Sequence, residues 1–144
     1  MIAWKEEYRT GFTSIDDQHK DLFKHINDLE VMINSQAVDL YKLEATFVFL
    51  EAYCNTHFER EENCMFKHKC SVAEINKAAH EKFRQELLVF QKDFSLHRRD
   101  RAAAVEVAKK VLEMSSGWIT SHICKIDVEL RNVNKTAPDQ YTVN

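Results

Sequence analysis

The stretch LEATFVFLEAYCNTHFEREENC, residues 43–64, decides the fold. Leu43, Phe47, Leu50, Cys54, His57, Glu61 and Cys64 follow one another at alternating steps of four and three. That spacing keeps side chains on one stripe of an α-helix, the stripe that turns inward when helices associate into a bundle. A strand would instead bring every second residue to the same face. The stripe is apolar except at His57 and Glu61, two polar residues where a bundle buries its side chains.

The same period recurs three more times. About residues 17–35 carry His19, Leu22, Ile26, Leu29 and Ile33. About residues 72–95 carry Ala73, Asn76, His80, Phe83, Leu87, Phe90 and Phe94. About residues 101–133 carry Val105, Ala108, Leu112, Ser115, Ile119, His122 and Ile126. The helix of the opening stretch runs over about 40–65. Only 2 glycines and 1 proline in 144 residues leave little for the turns of hairpin sheets. The connecting segments NSQAVD, KHKCS and SLHRRD are short, so successive helices should be antiparallel neighbours. Ser14 with Asp17 and Ser71 with Glu74 have capping-box spacing, Asp39 and Asp100 stand at N-cap positions, and Pro138 fits a chain past its last helix. Trp4, Tyr8 and Phe12 mark the first fifteen residues as an arm laid across the bundle. The expected fold is all-α: one domain over residues 1–144, an up-down-up-down antiparallel four-helix bundle with an N-terminal arm.

Composition removes several function classes. A net charge of −3 offers no basic surface for nucleic acid, and His97-Arg98-Arg99 is a short cluster followed by Asp100. No apolar run approaches the roughly 20 residues of a membrane span. The opening MIAWKEEYRT lacks the apolar core of a signal peptide. Cys54, Cys64, Cys70 and Cys124 form no CxxC pair, which predicts reduced thiols and a cytoplasmic location.

The chain has 7 histidines. His25, His68 and His97 fall off the stripes or in loops, whereas His19, His57, His80 and His122 lie on them, one per helix. A lone core histidine is usually structural, satisfied by a single hydrogen bond. Four converging from four helices point to a shared centre. Glu61, one turn beyond His57, would be a costly buried charge unless a cation meets it, and no inner-stripe Lys or Arg does. The competing reading rotates the helix so that Glu61 joins the surface run of Glu59 and Glu62, at the cost of exposing Phe47 and Leu50. Asp127 lies five residues after His122, about 140° around an ideal helix, and so off the main stripe. Imidazole with carboxylate suits Fe, Zn or Mn, and this donor set is too large for one tetrahedral zinc. The Glu-x-x-His pattern of ferritin-like carboxylate enzymes is not evident.

With these motifs in order, the chain resembles the hemerythrin family, specifically its bacterial hemerythrin-like domains. The resemblance rests on Trp4, Tyr8 and Gly11, then IDDQHK with His19, HFEREENCM with His57 and Glu61, NKAAHEKF with His80, and WITSHICKID with His122 and Asp127. It implies two non-haem iron ions joined by an oxo or hydroxo group. His19 and His57 would serve the iron that keeps an open position for O2. His80 and His122 would serve the other, Glu61 and Asp127 would bridge, and Ile119 would line the O2 pocket. O2 binding would be a two-electron transfer from the diferrous pair.

The departure is Asn76. The family motif in this helix is HxxxH, and this chain has NxxxH, an altered or missing ligand position. Asn can bind metal through its amide oxygen but is shorter than His, so water or another exogenous ligand, such as a small anion, is expected on that iron, or on both irons. The expectation is then an O2- or redox-responsive domain prone to autoxidation, joined to or working with a signalling output domain. The alternatives are a di-iron enzyme acting on peroxide, NO or an oxidisable substrate, a simple oxygen carrier or store, and a bundle whose site stays empty. The tail RNVNKTAPDQYTVN carries no output module; it could end a free-standing protein or mark where a larger one was cut.

Overall fold

The computed structural model describes residues 1–133. It is all-α, with no strand among the described residues. Four helices carry it: α1 (Thr13–Asn34), α2 (Leu40–Lys67), α3 (Ala73–Leu96) and α4 (Arg101–Trp118). Each packs against its two neighbours in a closed ring, α1 on α2, α2 on α3, α3 on α4 and α4 back on α1. Pro138 lies outside the described residues.

The arm reaches α1 through Asp16. Its Oδ1 accepts from the Thr10 backbone N–H and from Thr10 Oγ1, both at 2.8 Å, and its Oδ2 accepts from the Gly11 N–H at 3.2 Å. Gly11 has φ 86°, a left-handed backbone that disfavours a side chain. This clasp starts α1 at Thr13 rather than near residue 17 and displaces the expected capping box: no side chain caps α1, and Ser14 Oγ is buried without a hydrogen bond. No side chain caps α3 either, so the Ser71–Glu74 box does not form. Asp39 and Asp100 do cap α2 and α4, accepting from the Tyr41 and Ala103 N–H groups at 2.9 and 3.1 Å. Trp4 sets its edge against Phe23 at 5.6 Å, and Ile2 exchanges two hydrogen bonds with Asn27, so the arm lies along α1.

The fourth helix departs most from its expected course. After Trp118 the backbone widens into a π turn, Ile119–Ile123, and then tightens into a 3₁₀ stretch, Asp127–Asn132. Its buried stripe begins with Ala104, Val107, Ala108 and Val111, while Val105 and Leu112 stand half-buried at the edge.

The core is divided by a polar layer. On one side lies a large apolar cluster that includes Leu22, Phe58, Phe83, Ile119 and Ile123. On the other lies a smaller one, Phe12, Ile15, Cys64, Met65, Ala73 and Leu130. His19 falls between Ile15 and Leu22, Glu61 between Phe58 and Cys64, and His80 between Ala73 and Phe83, all on inward faces. Apolar packing on both sides removes water from the layer, and full burial of a side chain such as Phe58 contributes roughly 1.5–3 kcal/mol.

Candidate metal centre

The bundle brings His19, His57, Glu61, His80, His122 and Asp127 together, all buried. Glu61 stays inside, so the reading that rotates it to the surface fails. Its two oxygens serve different sides. Oε2 lies 3.3 Å from Nε2 of both His19 and His57, and Oε1 lies 3.1 Å from His80 Nε2. Asp127 repeats the arrangement, with Oδ2 3.2 Å from His19 Nε2 and Oδ1 3.0 Å from His122 Nε2. Two donor groups result: His19, His57, Glu61 and Asp127 in one, and Glu61, His80, His122 and Asp127 in the other. They share both carboxylates.

His19 Nε2 and His57 Nε2 lie in hydrogen-bonding geometry 3.1 Å apart, but most of the donor atoms have no such partner. Both oxygens of Glu61, both of Asp127 and His80 Nε2 are buried without an aligned hydrogen bond. Leaving a single buried polar atom unpaired costs about 1–3 kcal/mol, more when charged. Five in one layer, all lone-pair donors or able to be so, suit metal cations and little else. Two cations sharing two bridging carboxylates fit the donor set, and imidazole with carboxylate is the donor chemistry of non-haem iron.

Asp127 enters this set because the chain leaves the α-helical path after Trp118. On an α-helix it would point about 140° away from His122. The π turn Ile119–Ile123 is followed by a short irregular turn and a 3₁₀ stretch that starts at Asp127, so that ideal offset does not apply. The Cys124 N–H donates to the Ile119 carbonyl, five residues back, at 3.1 Å, and the Ile126 N–H donates to the His122 carbonyl at 2.6 Å. Asn76 is fully buried in the layer, and its Oδ1 lies 2.7 Å from His122 Nε2. Ile119, also fully buried, opens the π turn within the large apolar cluster.

Residues 10–131 match the hemerythrin HHE cation binding domain. The chain belongs to the hemerythrin family. It is 28% identical over 131 residues to a bacteriohemerythrin of Clostridium acetobutylicum, covering 90% of this chain and 98% of that protein. It is 29% identical over 129 residues to a myohemerythrin of Sipunculus nudus, covering 90% of each. Hemerythrin membership implies non-haem di-iron oxygen binding. None of the described helices is long and apolar enough to cross a membrane.

Three of the hemerythrin-type imidazoles are held flat against aromatic rings. Tyr53 stacks on His57 at 4.5 Å, Phe58 on His80 at 3.9 Å and Trp118 on His122 at 3.8 Å. Outer partners fix two ring nitrogens: His57 Nδ1 faces Gln18 Oε1 at 2.8 Å, and His80 Nδ1 faces Glu62 Oε1 at 3.2 Å. Sequence reading missed all five of these supports. Gln18 and Glu62 were detectable only as neighbours in sequence of His19 and Glu61, and Glu62 reads as part of an acidic surface run. The remaining histidines stay away from the centre. His25 stacks on Phe49, His68 ends α2, and His97 pairs with Asp93 at the surface.

Electrostatics in the metal-free hemerythrin fold follow the same geometry. Burial pushes His19 towards the neutral form, but Asp127 and Glu61 outweigh it and raise its pKa to about 9. For His57 burial prevails and the pKa is lowered. Burial opposes ionisation of Glu61, yet the surrounding His57, His19 and His80 hold its carboxyl well below the usual range. None of the four cysteines forms a disulfide and none joins the donor groups. Burial pushes the Cys54 thiol up to about 12, which keeps it protonated.

Proposed function

We propose that this chain is a non-haem di-iron O2-binding and redox-sensing domain. In this reading His19 and His57 hold one iron and His80 and His122 the other, with Glu61, Asp127 and an oxo or hydroxo group bridging. The observation that carries it is the pair of donor groups sharing Glu61 and Asp127. When bound, a diferrous pair supplies the two electrons that O2 uptake requires.

The protein's own residues supply the rest. Glu61 and Asp127 bring two negative charges against two cations in a layer closed to water. Ile119 gives the centre an apolar wall, which admits a small neutral molecule such as O2. Asn76 places a neutral amide oxygen where the family motif has an imidazole. That weaker donor leaves the second position open to exchange with water or a small anion, and favours rapid oxidation over stable carriage. A protein that changes redox state readily suits a sensor feeding a signalling output domain, fused or separate. Four cysteines without a disulfide suit a reducing, cytoplasmic setting.

Iron analysis and O2 reactivity test this. Two irons per chain are expected after anaerobic loading; a stable content below one overturns the di-iron reading. On exposure of the ferrous protein to O2, absorption should show faster conversion to the ferric state than in Asn76→His. Equal or slower conversion overturns the sensor reading.

A further inference from the structure

The two histidine pairs are supported unequally from behind. His57 Nδ1 faces a neutral amide, Gln18 Oε1, at 2.8 Å. His80 Nδ1 faces a carboxylate, Glu62 Oε1, at 3.2 Å. Arg84 stands beside that carboxylate. Its Nη1 lies 3.9 Å from Glu62 Oε1 and 3.8 Å from Glu81 Oε2, and its Nη2 donates to the Cys54 carbonyl at 3.2 Å. The guanidinium also lies 5.2 Å from the centre of the Phe58 ring, the ring stacked on His80. Arg84 therefore lies against two of the groups that touch His80, Glu62 and Phe58. The Glu62 side chain is only 15% exposed, so solvent screens its charge poorly.

His80 shares α3 with Asn76, one turn away. The helix that lacks an imidazole at one position thus carries the imidazole with a charged partner. With Nδ1–H donated to Glu62, the His80 Nε2 lone pair points at Glu61 Oε1 3.1 Å away. Two lone pairs at that distance repel unless a cation lies against both.

We infer that Glu62, with Arg84 beside it, is a positioning residue that strengthens His80 as a metal ligand and so offsets the weak donor Asn76. The inference rests on the di-iron reading above. A carboxylate accepting the Nδ1–H draws the proton outward and leaves more negative charge on the ring, raising the basicity of Nε2. An amide such as Gln18 carries no charge and does this less. The metal position with fewer imidazoles receives the more strongly donating one.

The test is iron release rather than O2 activity. Wild type, Glu62→Gln, Arg84→Met and the double variant Glu62→Gln/Asn76→His are loaded anaerobically with ferrous iron and challenged with excess ferrozine. Gln preserves shape and an acceptor oxygen but removes the charge. In Glu62→Gln, one iron of the two should leave about 10–100-fold faster while the other keeps its wild-type rate. Arg84→Met should shift the same phase less, and adding Asn76→His should restore slow release. Release unchanged in Glu62→Gln, or both irons accelerated together, overturns the inference. Gln18→Glu is the converse variant and removes no contact. It should slow release of the other iron, and an unchanged rate counts equally against the inference. A wild-type chain that never retains two irons overturns the di-iron reading itself, and the inference with it.

Discussion

His122 Nε2 and Asp127 Oδ1 stand 3.0 Å apart although five residues separate them along the chain. After Trp118 the chain runs through the π turn Ile119–Ile123 and a short irregular turn into a 3₁₀ stretch that starts at Asp127, so the α-helical offset of residues five apart does not hold. Asp127 thereby faces both His19 and His122 and becomes the counterpart of Glu61 across the layer.

Asp127→Ala should therefore break both donor groups at once. Iron content should fall from two per chain to one or fewer after desalting. Ser121→Ala, on the exposed side of the same turn, should leave it at two. Retention of two irons by Asp127→Ala would show that the turn's geometry is not needed.

The pH dependence of the metal-free protein follows from His19. Its folded pKa, about 9, lies above the ordinary value of 6.5. The native state therefore holds a proton that the unfolded state has released. That stabilisation is fully present below pH 6.5 and is lost as pH rises through 9. Denaturant titrations should show a decline of up to about 3 kcal/mol across this window. In the iron-loaded protein the ligand is already deprotonated, so the decline should vanish. A flat profile for the metal-free protein would contradict the proposed charge balance.

Phe58 is fully buried, stacks on His80 and touches Tyr53, Phe83 and Trp118. Phe58→Ala should cost about 3–5 kcal/mol of stability in urea. It should also loosen the His80 ring, so iron release should quicken. A loss below 1 kcal/mol would mean that the two apolar clusters close around the gap.

The caps discriminate formed from merely spaced residues. Asp39→Ala should destabilise by about 1 kcal/mol, because it removes acceptors for the Tyr41 and Lys42 N–H groups. Ser71→Ala should stay within about 0.5 kcal/mol, since no side chain caps α3. Equal losses in the two variants, measured by thermal melting, would contradict this assignment.

The four inward stripes, the helix count and the short connections were legible because they are local. A helical period repeats every few residues, and burying it against three similar stripes leaves few architectures. His19, His57, Glu61 and His80 were legible for the same reason: each occupies a stripe position that apolar residues otherwise hold. Asn76 was legible as a departure in register with His80. Asp127 became a candidate only through the family resemblance, since ideal α-helical geometry turns it away.

Tertiary structure alone decided the rest. The π turn, the Asp16 clasp on Thr10 and Gly11, and the shift of the α4 stripe from Val105 and Leu112 to Ala104 and Val111 depend on fit against the neighbouring elements, which periodicity cannot express. The same is true of the outer partners. Gln18 reaches across from α1 to His57 on α2, and Glu62 reaches from α2 to His80 on α3. One side chain's spacing along its own helix says which way it points. Which nitrogen on the adjacent helix it meets is set by how the helices are rotated and offset when they pack, and the energy that sets this is summed over the whole core.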